Sequence, residues 1–327
     1  MSRSTDSLLN PSAKIALAVW SGIKENLIHT QPKKRPTYSP PLITLKATTM
    51  TILITGGTGK TGFKLAKLLH AANHSVLITS RKGVAPEPFK AVTFDWNDAS
   101  TFENPFKADA NINKVYLVAP SVFDALPVAK PFIDLAISKG VKRFVLLSAT
   151  QLQKGGVFIG KIHEYIASLG VEYTVLRPTW FIENFGSLFI HSINNSNTVA
   201  SVTKNGKIPF IGVDDIAKAA FDALLAEKSS NSDFYVVGPE LLTYDQATEI
   251  LSEVIGRKIT HTHITNEQEQ GFFRSIGMSP EYAAMLNGME AAIADDAEEK
   301  LVGTSKTITG THKLRDYFEA NKALWTK

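Results

Sequence analysis

Cysteine is absent from all 327 residues. That excludes disulfides, a thiolate metal site and a thiol nucleophile together. Long apolar runs are missing as well. The best one near the start, Ile15 to Trp20, is too short to span a membrane and short even for a secretory core. No internal repeat and no coiled-coil heptad runs through the rest. The main body also lacks a strong charge of either sign. Residues 1–49 hold seven bases (Arg3, Lys14, Lys24, Lys33, Lys34, Arg35, Lys46) against two acids (Asp6, Glu25), and so carry the whole basic excess of the chain. Residues 50–327 are close to neutral, and neither nucleic acid nor a membrane is an expected partner. The composition, 44% hydrophobic and 20% charged, is that of a globular protein with a sizeable core.

Residues 1–49 read as a poorly ordered leader, rich in Ser, Thr and Pro, with Gln31–Pro36 and Ser39-Pro40-Pro41 breaking any periodicity. Met50 stands immediately before the first strand pattern. The expectation is therefore that residues 1–49 are an over-extended start or a dispensable tail, with organelle targeting as the alternative. A cytoplasmic location is expected for the remainder.

The stretch Thr51–Gly62 (TILITGGTGKTG) organises the rest of the chain. A short run rich in β-branched residues leads into Gly56, Gly57, Thr58, Gly59, Lys60, Thr61 and Gly62, and helical spacing begins at Phe63. In a strand–turn–helix of this kind one glycine permits the sharp turn. Another removes a Cβ so that backbone can approach a pyrophosphate, and a third lets the helix lie close on the strand. The helix N-terminus then offers free N–H groups to the anion. A nucleotide-triphosphatase loop is excluded, because the glycine it needs five residues before Gly59 is Ile54.

Short apolar runs then alternate with helical segments. Strands are expected at Ile52–Thr55, Ser75–Ser80, Ala91–Phe94, Lys114–Ala119, Arg143–Ser148 and Tyr173–Leu176, with helices near Lys60–Ala72, Asp124–Lys139 and Phe158–Leu169. This alternation predicts an α/β fold, a Rossmann-type doubly wound parallel sheet with a core over about 50–180. A smaller C-terminal substrate lobe is expected from 180–210 and 240–327. In that region Asn194–Asn205 reads as a loop or irregular strands, Val213 opens a helix with an Asp as N-cap, and Thr243–Ile255 is an amphipathic helix ended by Gly256. Asp233–Val237 returns to the sheet as a late strand, Ser279-Pro280 caps a further helix, and Asp316–Trp325 forms the last one.

Ligands in such sheets sit beyond the carboxyl ends of the strands. The second strand ends at Ser80-Arg81-Lys82, about twenty residues past the glycines, where an NAD site would place an acid for the ribose 2′-hydroxyl. Arg81 and Lys82 instead suit the 2′-phosphate of NADPH. The third strand runs into Asp95 and Trp96, where adenine would lie, and the fourth into Ala119 and Pro120, on the nicotinamide side.

Short-chain dehydrogenases use a Tyr-x-x-x-Lys pair for acid–base work. Counting back four from Lys161 gives Val157, so the tyrosine is missing; Lys161 and Ser148 remain as candidates. Without a general acid a ketone is hard to reduce, because the developing alkoxide needs a proton. An iminium ion has no such need. It wants a negative or π-rich surface, which Trp180, Phe181 and Glu183 could supply. Lobe packing plus a helix cap is the plainer reading of that cluster. His261 and His263 could share a strand face as metal ligands, but no third ligand is evident in the sequence, so a polar strand face is expected and no metal. His163 is expected to be exposed, and Asp295–Glu299 to be a solvated helix face.

With these residues assembled the chain resembles the NmrA-like atypical short-chain dehydrogenases in Met50–Gly62 and Leu176-Arg177-Pro178. Gln153–Gly156, Gly160–His163, Tyr173–Asn184 (YTVLRPTWFIEN), Asn205–Phe210, Gly238–Tyr244 and Gly256–Thr262 resemble the fungal ergot-alkaloid reductases of the agroclavine dehydrogenase and festuclavine synthase type. The resemblance runs from Met50 to the C-terminus. It implies NADPH-dependent reduction of a cyclic iminium, formed from an indole-derived aldehyde, to a tertiary amine. It also implies that Lys161 meets the nicotinamide ribose. A non-catalytic NADP-sensing regulator that binds another protein is the second reading, and a broad quinone or nitro reductase the third.

Overall fold

The computed structural model describes residues 50–326; the leader at 1–49 lies outside the described residues. Its strands are β1 (Thr51–Ile54), β2 (Ser75–Ser80), β3 (Lys90–Thr93), β4 (Ile112–Val118), β5 (Arg143–Leu147), β6 (Glu172–Pro178), β7 (Thr198–Ser201), β8 (Ser232–Val237), β9 (Thr260–His263) and β10 (Thr307–Thr309). Eight of them form one sheet in the order β10-β8-β6-β5-β4-β1-β2-β3, every pair parallel. The order reverses between β1 and β4, where a doubly wound sheet opens its ligand crevice.

Period-two alternation decides which side each strand residue faces. Ile52, Ile54, Ile78, Tyr116, Val145 and Leu176 pack on one side against Leu65 and Leu69 of helix α1 (Lys60–Ala71) and against residues 216–224. Leu53, Val115, Leu117, Phe144, Leu146 and Val175 turn to the other side. There they meet Phe106 of α2 (Asn104–Ala108), Phe132 and Ile133 of α3 (Leu126–Ser138), and Ile162 and Ile166 of α4 (Ile159–Ser168). Both faces being covered, the strands read as near-continuous apolar runs.

A third cluster joins Phe185, Phe189, Phe210, Tyr244, Phe318 and Trp325. It gathers α5 (Ile190–Ser196), α7 (Tyr244–Ile255) and α10 (Leu314–Ala320), while α6 (Val213–Leu225) remains with the main sheet. The helices α8 (Asn266–Ser275) and α9 (Pro280–Ala291) complete the set. Helix α7 has the signals expected of it. Thr243 and Gln246 form a reciprocal capping box, and Gly256 closes the helix in the left-handed conformation.

Several expectations are corrected. The 194–205 stretch holds the strand and the loop expected of it, β7 and then 202–205, but also the end of α5, and β7 pairs with β9 about sixty residues away, a partner that local pattern does not reveal. Gly212, not an aspartate, is the N-cap of α6; Asp214 and Asp215 fall in its first turn, where Asp214 pairs with Lys64 and Asp215 with His312. His163 is buried rather than exposed, since its helix face meets the sheet, and burial drops its imidazole to about 4. Asp295–Glu299 is no solvated helix face. The chain turns there in short 3-10 segments and drives Glu298 fully inside. The last helix breaks after Ala320 and resumes as a 3-10 turn at Lys322–Leu324.

On the amino-terminal side of the sheet the connections are tight. Gly140 (φ 101) turns α3 into β5 and Gly170 (φ 70) turns α4 into β6, and a Cβ at either would meet nothing within 4 Å.

Candidate active site

The glycine loop joins β1 to α1 through close backbone contacts. Gly56 takes a left-handed φ of 61, which favours glycine. A Cβ on Gly57 would sit 2.1 Å from Ile78 Cγ2, and one on Gly62 would sit 2.5 Å from the Gly56 carbonyl oxygen. These two glycines therefore let the helix descend on the strand. Gly59 is the N-cap and supplies no side-chain bond to the first turn, so the amides there are open to an anion. Thr61 is turned inward instead, its Oγ1 accepting the Tyr116 hydroxyl at 3.0 Å, which ties α1 to β4.

Beside the loop, a cavity of about 430 Å³ is lined by Gly56, Thr58, Arg81, Asp95, Trp96, Ala119 and Pro120, together with Ser80 and Val118. It adjoins a second, of about 550 Å³, lined by Thr58, Ser80, Arg81, Lys82 and Val84. Asp95 spends one carboxylate oxygen on the Asn97 amide at 3.0 Å, forming the turn that carries Trp96. These residues fit a dinucleotide with a 2′-phosphate: a base wall at Trp96, an amide-rich loop, and a basic pair with no acid lining the second cavity. NADPH is the cofactor that the site suits. Arg81→Ala is expected to weaken NADPH binding at least about tenfold more than NADH binding, since it removes a charge-assisted contact to the phosphate. Titrating both nucleotides against the variant tests this; equal losses would refute the 2′-phosphate assignment.

Across the carboxyl ends of β5 and β6 lies a third cavity, of about 280 Å³. Trp180 and Phe181 wall one side and Leu286 and Met289 of α9 another; Ser148, Thr150 and Thr179 bring hydroxyls, and Lys60 and Asn184 stand at it as well. The walls are fixed by backbone. Trp180 O accepts the Ile211 amide and Ile211 O accepts the Ile182 amide, both within 3.0 Å. The hydroxyls of Ser148 and Thr179 are buried with no partner among the described residues. Thr150 Oγ1 donates at 2.6 Å to Glu298 Oε1, which also accepts Gln151 Nε2.

Lys60 reaches from the glycine loop to this cavity, donating to Asn184 Oδ1 (3.2 Å) and Ser187 Oγ (2.7 Å). Partial burial lowers its ammonium, with the Glu183 charge opposing. Glu183 itself does not line the cavity. Its Oε1 accepts the Val213 amide at 3.1 Å and so caps α6, while burial raises its carboxyl against the pull of that amide and of Lys60. Lys161 lies on the first turn of α4 and pairs with Asp124 at 3.1 Å; neither lines any of these three cavities. The structure thus brings Ser148, Trp180 and Phe181 together with Lys60, and leaves Lys161 and Glu183 outside.

Sequence reasoning missed Thr150, Thr179, Leu286, Met289 and Glu298. The two threonines stand just past strand ends, a signal that was there to use. The others come from more than one hundred residues downstream of the strands they meet. A separate cavity of about 510 Å³, lined by His70, His74 and Phe89, sits at the start of β2, on the rim of the sheet opposite the ligand crevice.

Known proteins agree with this architecture. The model of the NmrA-like family matches residues 48–317. Agroclavine dehydrogenase of Claviceps purpurea (strain 20.1) is 44% identical over 288 residues, covering 84% of this chain and 99% of that protein. Festuclavine synthase I of Penicillium roqueforti (strain FM164) is 41% identical over 286 residues, covering 84% and 100%. Among solved structures, Citrobacter sp. triphenylmethane reductase complexed with NADP(H) superposes with a TM-score of 0.60 at 22% identity, over 78% of this chain and 96% of that one, a likeness of fold. The chain belongs to the NmrA-like family, among its oxidoreductases.

Proposed function

We propose that this NmrA-like oxidoreductase uses NADPH to reduce a cyclic iminium of an indole alkaloid to the tertiary amine. The observation that carries the reading is the lining of the Trp180 cavity: aromatic and aliphatic walls, a hydroxyl floor, and one ionisable side chain, Lys60. When bound, NADPH supplies a hydride, which adds to the iminium carbon and leaves its nitrogen neutral. The protein then has charge to hold and no proton to deliver. Trp180 and Phe181 offer π faces to a cation. Thr150, which lines the cavity, donates its hydroxyl proton to the buried Glu298 and so links that acid to the cavity. Acting through Thr150 rather than from the cavity wall, Glu298 would supply the negative charge expected of Glu183, which instead caps α6. Lys60, held at the cavity by Asn184 and Ser187, is the opposing charge there, and the phosphates of a dinucleotide bound at the adjoining loop would offset it.

Val157 agrees with chemistry that needs no general acid. The names of the relatives, an agroclavine dehydrogenase and a festuclavine synthase, support an ergot-type substrate. NADPH oxidation near 340 nm (about the usual nicotinamide wavelength) should proceed with cyclic indole iminium ions and fail with simple ketones and quinones. Tight NADPH binding without turnover on any acceptor would replace this reading with the NADP-sensing regulator. Comparable rates on quinones would replace it with a broad reductase.

A further inference from the structure

Helix α7 and strand β9 bring together three side chains that the reductase site does not use. His261 and His263 project from the same face of β9, their rings 4.6 Å apart at 65°. Asp245, on the first turn of α7, approaches both, so that one ligand atom from each of the three lies within 4.8 Å of the others. The sequence shows the two histidines but not their third neighbour, which is sixteen residues upstream and reaches them through the fold.

The His261 side chain is fully buried and half satisfied. Its Nε2 lies 2.8 Å from Ser201 Oγ, which in turn lies 2.8 Å from Thr203 Oγ1. Among the described residues its Nδ1 makes no hydrogen bond, and it lies 3.4 Å from Asp245 Oδ2. In the tautomer with Nε2–H donating to Ser201, a nitrogen lone pair and a carboxylate oxygen face each other across that gap. That tautomer suits a cation between them. The spacing is also right for one. Ligands held about 2.0–2.1 Å from a tetrahedral zinc ion stand about 3.4 Å apart. A ligating histidine fixed through its other ring N–H by an oxygen is the usual outer support of such a site.

We propose that Asp245, His261 and His263 form a binding site for a divalent transition-metal ion of the zinc type. Nitrogen and oxygen donors in this number suit Zn²⁺ and Co²⁺ over the harder Mg²⁺ and Ca²⁺. His263 is exposed and closes on the ion by rotating its side chain. The fourth position faces a cavity of about 390 Å³ lined by Asp245, His261, Glu249 and Lys258, among others. Water completes the set; Lys258 is the opposing charge there. The ion would clasp α7 to the two-stranded β7–β9 sheet, apart from both the cofactor and the Trp180 cavities.

The test is calorimetric titration of untagged protein, stripped with a chelator and then freed of it, with ZnCl₂. CoCl₂ read by its visible absorption is the second probe. One ion per chain is expected, with a Kd in the micromolar range or below and a rise in thermal midpoint at saturating metal. His263→Ala and Asp245→Asn alter exposed side chains and should fold normally while weakening zinc at least about tenfold. Ser201→Ala should weaken it about 10–100-fold through the lost support of His261. Absence of stoichiometric binding, or binding that His263→Ala and Asp245→Asn leave unchanged, would overturn the proposal. NADPH affinity measured in the same samples should not change with metal, which keeps this result independent of the reductase reading.

Discussion

Replacing Gly62 by alanine is expected to lower NADPH affinity by about 100-fold, the scale that a misplacement near 1 Å produces in a preorganised site. The added Cβ would lie 2.5 Å from the Gly56 carbonyl oxygen and 3.0 Å from Gly57 Cα, both of them backbone. No side chain can rotate away to relieve that contact. The first turn of α1 must lift off the loop, and the amides that would meet the phosphates lift with it. Overpacking of this kind also costs about 1–3 kcal/mol of stability. Gly271→Ala in α8 is the control, because a Cβ there meets nothing closer than 4.0 Å. Fluorescence titration with NADPH separates the two. If Gly62→Ala binds as tightly as the parent, close helix approach is not what that glycine provides.

Arg177→Met should be the most destabilising single change. Arg177 is almost fully buried, and its guanidinium serves four partners at once. Nη1 meets Asp233 at 2.8 Å, Nη2 donates to the Thr150 carbonyl, Nε donates to the Ala149 carbonyl at 3.3 Å, and the plane lies over the Tyr235 ring. Methionine fills much of the volume but leaves two carbonyls and a mostly buried carboxylate short of partners. Breaking one side of a buried pair costs about 3–5 kcal/mol, which for a chain of this size lowers the thermal midpoint by roughly 10 °C. Activity should fall as well, since residues 149 and 150 line the Trp180 cavity.

The pH profile gives a second readout. Burial pushes the Asp233 carboxyl up, but Lys306 and Arg177 together outweigh it and hold the group at about 2. A folded value below the ordinary 3.8 means that the pair stabilises above about pH 4, and that this contribution is lost as pH falls toward 2. Without Arg177 the acid unfolding limb should move to higher pH. An unmoved limb would show that Lys306 alone sets Asp233.

The parts of the site that were legible in the sequence are contiguous or strand-terminal. The glycine loop is one unbroken stretch, Arg81 ends the next strand, and Trp180 and Phe181 come directly after β6. The parts that were not legible depend on which distant surface a side chain meets. Glu183 stands among aromatic residues in the sequence and Glu298 in an acidic run, and neither setting tells what the side chain meets. One is drawn to the open amide end of α6, thirty residues on; the other is carried inward by a 3-10 turn to a threonine 148 residues earlier. The β7–β9 pairing escaped for the same reason, as did the burial of His163, which depends on how α4 seats against the sheet.

The tight turns at Gly140 and Gly170 have a practical consequence. They sit on the rim opposite the two cofactor cavities and the Trp180 cavity, and Lys142 beside the first turn is exposed. Because the chain has no cysteine of its own, Lys142→Cys would introduce a unique thiol. Coupling through it would anchor every molecule to a solid support in one orientation, with the openings for cofactor and substrate facing the bulk solution.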